Sequence, residues 1–283
     1  MNQPQEHRAT ANGVGLCYFE WPGDGPTVFF AHATGFHARC WDQVVARLPG
    51  RHVIAIDMRG HGRSEKVPPP YKWMFFGEDV AALANQIGIR DALAVGHSKG
   101  GHAITVAGAM APGIFASLLL VDPVIMPRAS YAQVRTGEGH FAAKRRNEWA
   151  SADEMFERFR NRPPFDLWDP LVLRDYCDFG VVPGPGGRGF VLACPPEVEA
   201  ATYAGSAGAD PYDHIAKLTI PVRILRARQR NVDTMMDMSS SPTSPDLVAH
   251  FTNATDYLYP ELTHYMPMQA PGLVAEHILE MLA

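Results

Sequence analysis

The chain has 283 residues, 46% hydrophobic and 19% charged, a composition that suits one large packed core and excludes a disordered or fibrous chain. Its 25 basic and 30 acidic residues leave a formal net charge of -5, scattered without the basic field that would hold a polyanion, so nucleic acid is not an expected partner. The polar start Met1 to Asn12 has no secretion-signal core, and no run approaches the roughly 20 apolar residues of a bilayer span; a cytoplasmic protein without membrane contact is expected, of unreadable oligomeric state.

In chain order, Gly13 to Glu20 reads as an antiparallel edge strand. Apolar and β-branched runs then recur at Thr27 to Ala31, His52 to Asp57, Ala92 to His97, Ser117 to Asp122, Ile220 to Arg226 and Tyr257 to Pro260. Helical patterns fall between or after them, at Ala38 to Leu48, Gly77 to Ile87, Ser98 to Met110 and Gly272 to Leu282. This alternation predicts an α/β fold built from βαβ units on a mostly parallel central sheet flanked by helices. After Asp122 the rhythm breaks, and residues 126–213 read as a mainly helical inserted cap, with core at 1–125 and 214–283. The insertion leaves a strand end, where α/β folds place binding loops.

The strongest chemical signal is Gly96-His97-Ser98-Lys99-Gly100-Gly101, standing between a predicted strand and a predicted helix. A serine on such a turn takes a strained backbone that small neighbours permit, and its hydroxyl projects above the sheet. The amide of Lys99, at a helix N-terminus, then faces the place where an oxyanion would form. Among 12 histidines, only His264 lies between the last predicted strand and the C-terminal helix, which makes it the candidate base.

These features fall in the order of the α/β-hydrolase family, which the chain resembles through most of its length outside the cap. Phe30-Ala31-His32-Ala33-Thr34-Gly35 resembles the family's His-Gly oxyanion loop, with Ala33 in place of the usual Gly and Thr34 as the implied second amide donor. Asp57-Met58-Arg59-Gly60-His61-Gly62-Arg63-Ser64 resembles its DxRGxGxS signature, and Thr263-His264-Tyr265-Met266-Pro267 its histidine loop. The resemblance implies a cofactor-independent serine hydrolase with no metal.

The acid is less direct. The family's commonest position follows the strand Ile220 to Arg226, and there the chain reads Ala227-Arg228-Gln229-Arg230. Asp122, 24 residues after Ser98 and at the end of the next strand, matches the alternative placement of haloalkane dehalogenases and some vitamin B6-degradation hydrolases; Asp233 and Asp237 remain the other candidates.

Asp57 and Arg59 are expected to hold a turn, and the Lys99 side chain to lie exposed along its helix. His32, Trp41, His97, Met126 and Tyr265 are candidate pocket residues. The basic residues Arg135, Lys144, Arg145, Arg146, Arg158, Arg160, Arg162 and Arg174 are expected mostly on solvated cap faces, with one or two turned inward toward an anionic group. Cys17, Cys40, Cys177 and Cys194, widely spaced without a CxxC pair, are expected as buried free thiols. The expected activity is cleavage of an ester or related acyl bond of a small molecule. The alternatives are amide, N-formyl or C–C bond hydrolysis of a small carboxylated, anionic metabolite, and a non-catalytic ligand-binding member of the fold.

Overall fold

The chain enters as an antiparallel hairpin, β1 (Gln5–Ala11) and β2 (Val14–Trp21). Their two-residue turn, Asn12-Gly13, has φ of 50° and 72°, the left-handed pair that matches strand twist. The computed structural model describes residues 3–132, 141–229 and 239–283. The first half continues with β3 (Asp24–Ala31), α1 (Asp42–Val45), β4 (Arg51–Asp57), α2 (Trp73–Gln86), β5 (Ala92–His97), α3 (Lys99–Met110) and β6 (Phe115–Val121).

Between β6 and the next sheet strand come short 3-10 turns at Arg128–Ala132 and Phe141–Lys144, then β7 (Glu148–Trp149), α4 (Ala152–Phe159) and α5 (Pro170–Phe179). They are followed by β8 (Val181–Pro183), β9 (Phe190–Leu192), α6 (Pro196–Ala204) and α7 (Tyr212–Ile215). The sheet resumes at β10 (Val222–Ala227) and β11 (Ala254–Tyr259), and the chain ends in α8 (Met266–Gln269) and α9 (Pro271–Leu282).

Eight strands form one sheet in the order β1-β2-β4-β3-β5-β6-β10-β11. It is antiparallel from β1 to β4 and parallel from β4 to β11. The 13–20 segment is therefore not the edge: β1 lies outside it, and its polar sequence Gln-Glu-His-Arg-Ala-Thr-Ala hid it from a search for apolar runs. Both sheet faces are covered, and successive residues serve opposite cores. Phe29 and Ala31 pack with Leu118 and Leu120 on the face of α2 and α3, while Val28 and Phe30 pack with Leu119 and Val121 on the face of α1 and α9. This two-residue period with both sets buried produces the continuous apolar runs by which the strands were recognised.

The predicted helix 38–48 is broken. It forms a 3-10 turn (Ala38–Trp41) and the single turn α1, because the Ala38 amide is held by Asp57 Oδ1 (2.7 Å) and Arg39 folds onto the Asp42 carboxylate. In the 126–213 segment, α4 and α5 have side-chain N-caps, Ser151 and Asp169. Alongside its helices the segment carries a small antiparallel sheet, β7-β9-β8, which the Gly- and Pro-rich run 183–189 disguised. Its own apolar cluster joins Trp149, Met155, Trp168, Val172 and Tyr176 to Cys40 and Met268 beneath it.

Candidate active site

Ser98 links β5 to α3 with φ 57° and ψ −121°, a conformation an L-residue holds only when its surroundings impose it. Three glycines allow that. A Cβ on Gly96 would stand 2.5 Å from the Gly100 carbonyl oxygen, one on Gly100 2.1 Å from that of Ala31, and one on Gly101 2.7 Å from the Pro123 side chain. The Ser98 amide donates to the Val121 carbonyl (3.1 Å), and the Ser98 carbonyl accepts from the Val124 amide (3.0 Å). The strained turn is thus hydrogen-bonded to the last residue of β6 and to the stretch that follows it.

His264 stands between β11 and α8. Its amide donates to the Ser239 carbonyl (2.7 Å), and its carbonyl accepts from His97 Nε2 (2.7 Å). So held, the imidazole places Nε2 3.0 Å from Ser98 Oγ and Nδ1 2.6 Å from Asp122 Oδ2. The carboxylate accepts Nδ1–H, and Nε2 is left to accept the serine hydroxyl.

Asp122 is completely buried, with φ 43°. Its Oδ1 accepts from the Ala227 amide (2.9 Å) and the Ser241 hydroxyl (2.5 Å), with the Thr243 hydroxyl at 3.4 Å, so Oδ2 is left for the imidazole. Ala227, the last residue of β10 and the first position searched for the acid in the sequence, instead supplies a backbone amide to Asp122. Ser241 and Thr243 escaped the sequence reading. The hydroxyl run Ser239-Ser240-Ser241-Pro242-Thr243-Ser244 was the available signal, a set of donors needing a buried acceptor. Asp233, Asp237 and Arg135 lie outside the described residues.

Lys99 and Thr34 are the two residues expected to offer amide donors. Lys99 opens α3, so its N–H has no acceptor within the helix. Thr34 is the second residue of a turn closed by the Phe36 amide on the Ala33 carbonyl (3.3 Å), with Gly35 at φ 80°, the pattern of a type II turn, which leaves the second residue's N–H unused. His32 braces this loop: its Nδ1–H donates to the Ala33 carbonyl (2.7 Å), and its Nε2 accepts from the Met58 amide (3.0 Å). Asp57 accepts from the Ala38 and Arg63 amides, and Arg59 pairs with buried Asp79.

Other expectations are corrected. The Lys99 side chain is fully buried, not exposed, with Nζ 3.7 Å from the Phe76 ring centre and no hydrogen-bond partner among the described residues. Residues 99–108 of α3 are all buried, so the helix has no solvent face for it there. Burial holds its amine well below lysine's ordinary range. Trp41 packs in the core, its ring 4.8 Å from Phe30. His97 touches the His264 ring at 5.1 Å, and burial lowers its pKa to about 3. Burial likewise lowers His37 and His102 to about 4, and His32 well below its usual value. Met126 packs partly buried against the α2–α3 core, and Tyr265 lies against Trp168 and beside His264. All four cysteines are buried free thiols.

Of the basic residues in the 126–213 segment, Arg145 turns inward, but toward protein groups: Glu199 (2.5 Å) and the Tyr176 hydroxyl (2.8 Å). Burial pushes the Glu199 carboxyl up, and Arg145 pulls it back. Among the described residues, no group of three or more His, Cys, Asp or Glu side chains is placed to hold a metal ion, and no helix is long and apolar enough to cross a membrane.

This geometry sits on a fold with many relatives. Residues 28–277 match the model of the alpha/beta hydrolase family, and the chain belongs to that family. It is 40% identical over 95 residues to a bifunctional esterase/perhydrolase of Acinetobacter calcoaceticus, covering 32% of this chain and 34% of the relative. It is 32% identical over 101 residues to 2-(acetamidomethylene)succinate hydrolase of Mesorhizobium japonicum, covering 35% and 36%. These matches span only about a third of each curated relative. Among solved structures, E-2-(acetamidomethylene)succinate hydrolase superposes with a TM-score of 0.77 at 20% identity over 98% of both chains.

Proposed function

We infer that the protein is a serine hydrolase that cleaves an ester or related acyl bond of a small molecule through an acyl-Ser98 intermediate. One observation carries this reading: the unbroken hydrogen-bonded run from Ser98 Oγ through His264 to Asp122, at 3.0 and 2.6 Å. In it His264 Nε2 takes the hydroxyl proton as Oγ attacks the acyl carbon and then delivers that proton to the leaving group; water repeats the sequence to free the acid. Asp122 fixes the imidazole tautomer and stabilises its cation, while the amides of Lys99 and Thr34 hold the oxyanion. The 126–213 segment acts as the cap that selects substrate, and the chemistry asks for no cofactor or metal.

A second reading, hydrolysis of an amide-like bond in a small carboxylated metabolite, is favoured by the likeness to 2-(acetamidomethylene)succinate hydrolase in both sequence and fold. Against it, Arg145, the inward-turned arginine, already has a carboxylate partner in Glu199. A fluorophosphonate probe tests the common core of both: it should label the wild type, and Ser98→Ala should lose labelling and lower kcat by about 10⁵- to 10⁶-fold at unchanged melting temperature. Undiminished turnover by Ser98→Ala would end the acyl-serine reading. A folded wild type that neither labels nor turns over any of a panel of esters and amides would favour the ligand-binding alternative.

A further inference from the structure

Three contacts run from the 126–213 segment to the turn that carries Thr34. The Glu199 carboxylate rests on Gly35, where a Cβ would lie 2.8 Å from its Oε1. The Tyr176 carbonyl accepts the His37 Nε2–H at 3.1 Å, and its ring stacks on that imidazole, with centroids 5.9 Å apart and planes inclined by 16°. The same ring meets Phe36 at 5.4 Å. Arg145 joins the two arms, donating through Nη1 to Glu199 and through Nη2 to the Tyr176 hydroxyl.

The fit is close. A cavity of about 10 Å³, bordered by Gly35, Phe36, His37, Arg145 and Tyr176, lies at this junction, room for a single water. Glu199 is only 4% exposed. The Arg145 side chain keeps 22% exposure, so the pair only partly offsets the cost of burying the Glu199 carboxylate and is weak evidence for a role in stability.

We propose that Arg145 and Glu199 are positioning residues for the oxyanion loop. With Tyr176 they press the Ala33–Phe36 turn into the register that aims the Thr34 N–H at the oxygen of the reacting carbonyl. The inference rests on the acyl-serine reading above, and it makes the inserted segment a contributor to rate as well as to selection.

The test compares Glu199→Ala, Glu199→Gln and the double variant Arg145→Gln/Glu199→Gln with wild type. It measures the rate of fluorophosphonate labelling, p-nitrophenyl acetate hydrolysis and the affinity of a trifluoromethyl ketone, which forms an oxyanion on the serine. Each is read well below the melting temperature of every variant. Misplacing one donor without deleting it is expected to lower labelling rate, kcat and ketone affinity together by about ten- to a hundredfold in Glu199→Ala, with KM changed less than about threefold. Glu199→Gln, which keeps the shape and one hydrogen bond to Arg145, should recover most of that loss. A lower melting temperature with wild-type kcat and ketone affinity would overturn the proposal, because a merely structural contact predicts that result. If Glu199→Ala does not fold, the double variant, which buries no unpaired charge, decides between the same two outcomes. Ser98→Ala run in parallel separates the two inferences. Retained turnover there sinks the acyl-serine reading itself, whereas an inert Ser98→Ala beside fully active Glu199 variants sinks only the positioning role.

Discussion

The carboxyl edge of the sheet and the 126–213 segment are held in place by different means. At the sheet edge the devices are mainly backbone: a strained serine between glycines, hydrogen bonds traded with Val121 and Val124, and a backbone N–H from Ala227 on Asp122, with the Ser241 hydroxyl beside it. In the inserted segment they are side chains, with Arg145 on Glu199 and Tyr176 on His37 and Phe36. Backbone devices demand glycine at set positions and so leave a trace in sequence. Side-chain devices join residues more than 50 positions apart and leave none.

After Ser98→Ala, the largest effect is expected at Asp122. Asp122→Asn is expected to lower kcat by about 10³- to 10⁴-fold with the fold retained, since an amide there favours the wrong imidazole tautomer. Stopped-flow hydrolysis together with thermal melting checks it. Near-normal turnover would move the role to Asp233 or Asp237 and remove the acid from the backbone-built region.

Glycines sharpen the contrast further. Gly100→Ala should destabilise by about 3 kcal/mol or more, because its Cβ would overlap the Ala31 carbonyl, which cannot retreat without moving β3. Gly186→Ala, in the inserted segment, meets nothing within 4 Å and has only its φ of 66° against it, so about 1 kcal/mol is expected. Denaturant titration of both variants measures the gap, and equal costs would erase the distinction drawn above.

A further effect is graded with pH. His37, His97 and His102 are kept neutral by burial, at about 4, 3 and 4. As pH falls, the unfolded chain takes up their protons first. Their contribution to stability is therefore complete above about pH 6.5 and is lost below it, at about 1.4 kcal/mol per pH unit for each histidine until its folded value is reached. Urea unfolding between pH 7 and 4 should show this slope, and His102→Asn should lower it by one histidine's share. A flat profile would mean that these imidazoles are not sealed from water.

What could be read from residues alone follows the same division. The Gly96 to Gly101 run, the Asp57 to Ser64 signature and the loop around His264 pointed to the sheet-edge residues because each motif is local, its members within a few positions of one another. Asp122 was legible from its place at the end of the strand that follows the serine's helix, 24 residues after Ser98, together with the lack of a carboxylate just after Arg226. The Lys99 side chain was misplaced because helix periodicity says nothing of a helix buried all round its first three turns. β1 was missed because a polar strand gains its place from a hairpin turn and its partner's hydrogen bonds, which an apolar-run search cannot see. Glu199 and Tyr176 carried no signal at all, because the groups they touch become neighbours only through the tertiary fold.

The Asp57 turn carries a consequence of its own. Its carboxylate fills the space a side chain on Gly62 would need, 2.1 Å from where that Cβ would be, while Ser64 ties its hydroxyl to both the Asp57 carbonyl and the Cys17 amide. This knot splices separate stretches of chain together. A signature of that kind announces shared ancestry of the skeleton and is mute about cargo, so two chains bearing it intact are free to process unrelated molecules.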